Sequence, residues 1–264
     1  MEFLITADKH GSFTYLLDDL QRFYGDRKPE DLGIIILGDA GLNFYLNKTD
    51  EKKKAFLNAR GYKFYLVRGN HELRPSMLEN IQRVYDWDVN GDIYIEEEYP
   101  NIKYLIDGEY YFINGFKCLC LGGAYSVDKE YRLLNHYTWF PDEQLSELEM
   151  NEISINTSGE CFDFVFSHTC PYPWMPRDLF LSFIDQSKVD NSMEIWMDEF
   201  KDTIDWNIWL FGHYHSDRLV RPGVEMFYHR IDSLDNIWNR WGNYGATGKL
   251  PDGYECDPKF FEKD

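Results

Sequence analysis

Short apolar runs that end in polar residues constrain this chain more than any other feature. Phe3 to Thr6 is followed by Asp8 and His10, Ile34 to Leu37 by Asp39, and Tyr62 to Val67 by Asn70 and His71. Helical patterns lie between the runs. Phe13, Leu16, Leu17, Leu20 and Phe23 recur at helical spacing behind Ser12, a predicted N-cap, and Lys48 to Arg60 reads as a helix ending at Gly61. This is the β-α-β rhythm of an α/β protein. In a parallel sheet the C-termini of consecutive strands share one edge, so the polar residues behind them are expected to converge there. His168, after the predicted strand Phe162 to Phe166, and His213 with His215, after Asn207 to Phe211, end later strands in the same way.

From Asp92 onward the spacing changes. Strand-like segments at Lys103 to Ile106, Tyr110 to Ile113 and Lys117 to Leu121 are separated by Asp107-Gly108 and Asn114-Gly115, both hairpin signals. Asp142 to Ile153, behind Pro141, and Met193 to Ile204 read as helices, so a second sheet of mixed character is expected. After Asp232 the sequence turns to Trp, Asn, Gly and Asp without clear periodicity, predicting a tail that wraps over the surface. No internal repeat or low-complexity linker divides the chain.

Composition narrows the function. In 264 residues there are 46 acidic and 27 basic side chains, a formal charge of −19, so a broad basic face for long nucleic acid is not expected. The densest basic run, Lys52 to Lys54, follows Glu51 and reads as a solvated helix face. A hydrophobic content of 44% with 17% aromatic residues argues for a folded core. The apolar runs fall short of the roughly 20 residues a membrane span needs. Asp8 interrupts Met1 to Ala7 before a signal peptide could form. Five cysteines (118, 120, 161, 170 and 256) form no C-x-x-C pair, which points to a reducing, cytoplasmic setting. Cys118 and Cys120 are expected on one strand face and Cys170 in a structural role.

Five of seven histidines fall in the strand-end loops, and only His136 and His229 lie outside. An aspartate after a strand is commonly a cap, and a lone histidine is commonly a hydrogen-bonded core or surface residue. Five short blocks in fixed order outweigh that reading. Asp8-Lys9-His10, Gly38-Asp39, Gly69-Asn70-His71-Glu72, His168 and Gly212-His213-Tyr214-His215 resemble the calcineurin-like metallophosphoesterase family, whose pattern runs D-x-H, G-D, G-N-H-[DE], H, G-H-x-H. The blocks span positions 8 to 215.

The resemblance implies two facing mixed β-sheets flanked by helices, a four-layer αββα sandwich, with residues 1–231 as the metallophosphoesterase domain and 232–264 as a C-terminal tail packing on it. It implies two metal ions, one held by Asp8, His10 and His215, the other by Asn70, His168 and His213, with Asp39 between them. Independently of the family, carboxylate oxygen with several imidazoles suits divalent Mn, Fe, Zn, Ni or Co, Mn being the first expectation. An oxygen-only magnesium site would not need four histidines.

The implied reaction is hydrolysis of a phosphate monoester or diester of a small molecule or nucleotide, by direct attack of a metal-bridging water or hydroxide. By the same resemblance His71 protonates the leaving oxygen, a task suited to imidazole. Arg68, Arg74 and Arg132 are candidate phosphate clamps. Tyr125 lies in a segment, Gly122 to Lys129, that is similar to one in some prokaryotic and phage members and is expected to line the pocket. The family's serine/threonine protein phosphatases carry a second aspartate three residues beyond the bridging one, where this chain has Leu42. A phosphoprotein substrate is therefore not expected. The alternatives are a nuclease of the same family, against which the acidity argues, and a non-catalytic metal-binding interaction scaffold, against which the intact ligand set argues. Oligomeric state is not legible in the sequence.

Overall fold

A computed structural model describes residues 1–247. The chain opens with β1 (Glu2–Thr6), α1 (Thr14–Tyr24), β2 (Leu32–Leu37), α2 (Lys48–Asn58) and β3 (Lys63–Val67). The three strands pair in parallel, with Ile5 beside Ile35 and Ile35 beside Tyr65. An antiparallel pair, β4 (Ile81–Asp86) and β5 (Gly91–Glu96), precedes β6 (Ile102–Leu105), which returns parallel to β3. The chain then crosses into a second sheet through β7 (Tyr110–Ile113) and β8 (Phe116–Leu121), followed by α3 (Lys129–Leu134) and α4 (Glu147–Thr157). β9 (Cys161–Ser167), α5 (Ser192–Phe200), β10 (Asp205–Phe211), β11 (Arg218–Arg221) and β12 (Val224–Met226) complete that sheet. β13 (Asp232–Ser233) rejoins the first sheet beside β1 and leads into α6 (Leu234–Thr247).

The seven-stranded sheet has the order β13-β1-β2-β3-β6-β5-β4 and the six-stranded sheet β11-β12-β10-β9-β8-β7. Both are mixed, each with a parallel centre and antiparallel edges. Strand alternation sorts the side chains into three cores. Ile5, Ile35 and Tyr65 meet Cys118, Cys120, Phe164, Phe166 and Leu210 between the sheets. Leu4, Ile34, Ile36 and Phe64 point the other way, onto Leu16, Leu20 and Leu57 of α1 and α2. Leu119, Val165 and Trp209 pack beneath Met150, Ile153, Met193 and Met197 of α4 and α5. The result is the four-layer αββα sandwich.

The two hairpin signals part company. Asn114-Gly115, both at positive φ, turns β7 into β8 with Ile113 opposite Phe116. Asp107-Gly108 is not a hairpin: it carries the chain from β6 to β7, from one sheet to the other. Ser12 is not the cap of α1, which starts behind Phe13 without a side-chain cap bond. α4 begins later than expected, because Ser146 and Glu149 form a reciprocal capping box there. Cys118 and Cys120 lie buried in β8, and Cys170 is also buried. In the tail, Leu234, Ile237 and Trp241 of α6 are buried in the inter-sheet core; Cys256 lies outside the described residues. Among the described residues no helix is long and apolar enough to cross a membrane.

Candidate metal centre

The parallel strands of both sheets deliver their C-terminal ends to one edge. Asp8 and His10 follow β1, Asp39 follows β2, and Asn70 and His71 follow β3; His168 follows β9, and His213 and His215 follow β10. These turns are sharp. Of ten non-glycine residues at positive φ among those described, five are Asp8, His10, Asp39, His213 and His215. Left-handed backbone is costly for such residues and persists where the surroundings enforce it, commonly at functional sites. The motif glycines have a steric reason. A Cβ at Gly38 would stand 1.9 Å from His168 Nδ1, and one at Gly69 the same distance from Asp39 Oδ1.

Both halves of the molecule contribute to one cluster. Asp8, His10 and His215 can each offer a donor atom within 4.8 Å of the others, and so can Asp8, Asp39 and His168. Asp8 accepts the His213 backbone N–H at 2.9 Å, and Asp39 accepts that of His71 at 2.9 Å. The His168 ring lies 5.0 Å, centroid to centroid, from that of His213. His71 Nε2 is 3.9 Å from Asp39 Oδ2.

Hydrogen bonding fixes which atoms face inward. His168 Nδ1–H donates to the Leu37 carbonyl at 2.9 Å, so the lone pair of the neutral ring is on Nε2. That nitrogen is 2.8 Å from Asn70 Oδ1. The Asn70 amide is oriented from behind: its Nδ2 donates to Ser126 Oγ at 2.8 Å, and the Ser126 hydroxyl donates to Glu143. Two acceptors at such a distance repel unless a cation lies against both. His10 Nε2 and His215 Nε2 also meet at 2.8 Å, so each ring turns a nitrogen toward the same spot.

Electrostatics agree. Burial lowers the pKa of His10, His168 and His213 and takes that of His215 down to about 4, leaving neutral imidazoles as ligands. Burial, with the Asp39 charge adding to it, raises the Asp8 pKa well above the usual carboxylate value. Burial would also raise that of Asp39, but charge pairing with His168, His71 and His10 when protonated, and the His71 backbone N–H, outweigh it and hold it low. Two buried aspartates among imidazoles whose protonated form burial disfavours are a donor set that fits divalent transition ions.

The expected phosphate clamps separate. Arg68 is buried, and its guanidinium bonds Asp107 at 2.8 Å and the carbonyls of Glu143 at 2.7 Å and Gly122 at 3.1 Å. Arg74 is engaged by Glu149 at 2.6 Å and the Gln144 carbonyl at 2.7 Å. In the structure these two arginines tie loops together. Arg132, held by Asp128 at 2.8 Å, lines a cavity with His10, His71 and His215. Tyr125 lines a second cavity with Asn70 and His71.

Sequence reasoning gave no role to Glu72, Ser126 or Glu143. Glu72, buried beside Asn70, accepts the Gly41 N–H at 2.6 Å and so ties the β3 loop to the β2 loop. Burial and the Asp39 charge raise its pKa to about 7. Its place within the third motif was a signal for it, and Ser126 lay in the segment already singled out as pocket wall. Lys9 turns away from the cluster to the Tyr228 carbonyl, 2.6 Å away. Trp174 and Trp241 are buried, and Trp238 packs on the core.

Among solved structures, the phosphopantetheinyl hydrolase PptH from Mycobacterium tuberculosis is similar at 13% identity and a TM-score of 0.47, over 90% of this chain and 92% of that one. No curated protein matches the sequence. The model of the calcineurin-like phosphoesterase family matches residues 1–217. With that match over most of its length, the chain belongs to the calcineurin-like phosphoesterases, a family of metal-dependent hydrolases.

Proposed function

We propose that the protein is a dinuclear-metal phosphoesterase that hydrolyses a phosphate monoester or diester of a small molecule or nucleotide. The observation that carries this reading is the convergence of donor atoms around two buried aspartates, with His168 Nε2 and Asn70 Oδ1 facing each other as acceptors at 2.8 Å and His10 Nε2 and His215 Nε2 meeting at 2.8 Å. Asp8, His10 and His215 would hold one ion and Asn70, His168 and His213 the other, with Asp39 between them; Mn is the favoured metal. When bound, such a pair supplies an activated water and a grip on the phosphoryl oxygens.

The chain supplies the rest. His71, 21% exposed at its side chain, reaches the cluster from the solvent side and would deliver the proton to the leaving oxygen. Arg132 would neutralise the phosphoryl charge at the rim. Glu72 and Ser126 hold Asp39 and Asn70 in register. The acidic composition disfavours long nucleic acid as substrate, and the free cysteines suit a reducing cytoplasm. Residues 1–231 form the catalytic domain in this reading, with the described part of the C-terminal segment, residues 232–247, packed on it; the rest of that segment lies outside the described residues.

Protein purified without chelator should contain two equivalents of transition metal and release p-nitrophenol from aryl phosphate esters when Mn is added. Asp39→Asn should lose both properties. Full metal occupancy with no turnover of any ester would leave the scaffold alternative standing.

A further inference from the structure

Two cavities flank the metal centre, and they differ in character. Both are lined by His71, His215 and Asp128, so they meet at the proposed reacting position. The first, about 400 Å³, carries the cationic side chains of Lys53 and Arg132 beside Phe44. The second, about 420 Å³, is walled by Met175, Leu179, Phe180, Leu181, Ile184 and Val189. These come from the segment that precedes α5, whose prolines 171, 173 and 176 hold it in short turns. Phe180 stacks on Tyr214, the residue between His213 and His215, at 6.4 Å and 19°. Each cavity has the size of an ordinary small-ligand site.

The charges lining the apolar chamber are of one sign. It has no lysine or arginine among its described lining residues, while Asp128 and Glu194 contribute carboxyls. Glu194 is buried, bonded through Oε1 to Thr169 at 2.7 Å, and its Oε2 has no protein partner. A carboxylate or a second phosphate entering this chamber would lose its hydration with no cation among the described lining residues to pair it.

We propose that the substrate is a phosphate diester, with one neutral, apolar arm in the chamber walled by the segment before α5 and the other arm in the cavity beside Arg132. This rests on the phosphoesterase reading above and narrows its substrate class. A monoester would leave one of two formed cavities without an occupant, and an anionic arm would be desolvated against the apolar wall without a cation to pair it.

The test uses the Mn-loaded full chain and p-nitrophenyl alkyl phosphodiesters with methyl, butyl and hexyl arms, a hexyl arm ending in carboxylate, and the monoester p-nitrophenyl phosphate. The kcat/KM should rise with arm length by up to roughly fourfold per buried methylene. The carboxylate-ended arm should fall back toward the methyl ester. Leu181→Asp, at a position 51% exposed and tolerant of a charge, should flatten the series. Ile155→Asp, on the exposed face of α4, should leave its slope unchanged. A flat wild-type series, or a monoester turned over better than every diester, overturns the proposal while leaving the phosphoesterase reading intact. No hydrolysis of any of these esters by the metal-loaded protein overturns both.

Discussion

Replacing Glu194 by glutamine should change how stability depends on pH, with a sign and size that follow from the burial of one carboxyl. Glu194 is 3% exposed, and burial raises its pKa from 4.5 to about 7. Below the unfolded value both states keep the proton, and the carboxyl imposes no ionisation penalty. As pH rises the unfolded chain releases its proton first, so stability is lost until the folded group ionises near 7, and the loss then levels off. The gap corresponds to roughly 3 kcal/mol. Glu194→Gln keeps an oxygen for Thr169 and cannot ionise. Urea unfolding of both proteins, metal-saturated, from about pH 5 to about pH 8 should show the variant gaining on the wild type across that range by roughly 3 kcal/mol. A constant difference between the two curves would refute the reasoning, because it would mean that Glu194 ionises folded as readily as unfolded.

Three other outcomes follow from the site. His71→Ala should lower kcat by on the order of 10² to 10⁴ while metal content, measured by elemental analysis, stays at the wild-type level; loss of metal would make His71 a ligand instead. Arg68→Met should destabilise the fold by about 3 to 5 kcal/mol in denaturant, because it leaves Asp107 and two carbonyls without their buried partner; unchanged stability with a raised KM would make it a phosphate clamp instead. Chelation should lower Tm, and added Mn should restore it, as expected when only the folded state assembles the ligands; a Tm indifferent to chelator would argue against ion binding at this cluster.

The parts of the architecture that were legible in sequence are those where one local rule dominates. β1, β2 and β3 show as apolar runs because both faces are buried, and Asn114-Gly115 shows as a hairpin because two positive-φ positions in sequence admit little else. β4 and β5 were missed because their residues are largely half-buried or exposed, which erases the apolar signal. Asp107-Gly108 has the local chemistry of a hairpin turn, but tertiary pairing sends its two strands to different sheets. α6 was hidden by Gly242 and its mixed polar and aromatic sequence, although Leu234, Ile237 and Trp241 fall on one buried face.

The positions of the candidate ligands were legible as strand-end residues, since topology alone brings them together. What Arg68 and Arg74 do was not, because a guanidinium suits a phosphate and a cluster of carbonyls equally well. Only the positions of Glu143, Asp107 and Glu149 separate the two uses.

The proposed ligand cluster draws Asp8, Asp39 and Asn70 from one sheet and His168, His213 and His215 from the other. An ion bound there acts as a rivet through two jaws, and prying them apart means breaking coordination as well as unpacking the oily seam behind it. Freshly made chains that fail to load would present a looser hinge to cellular proteases, so the amount of this protein in a cell would track the supply of its metal.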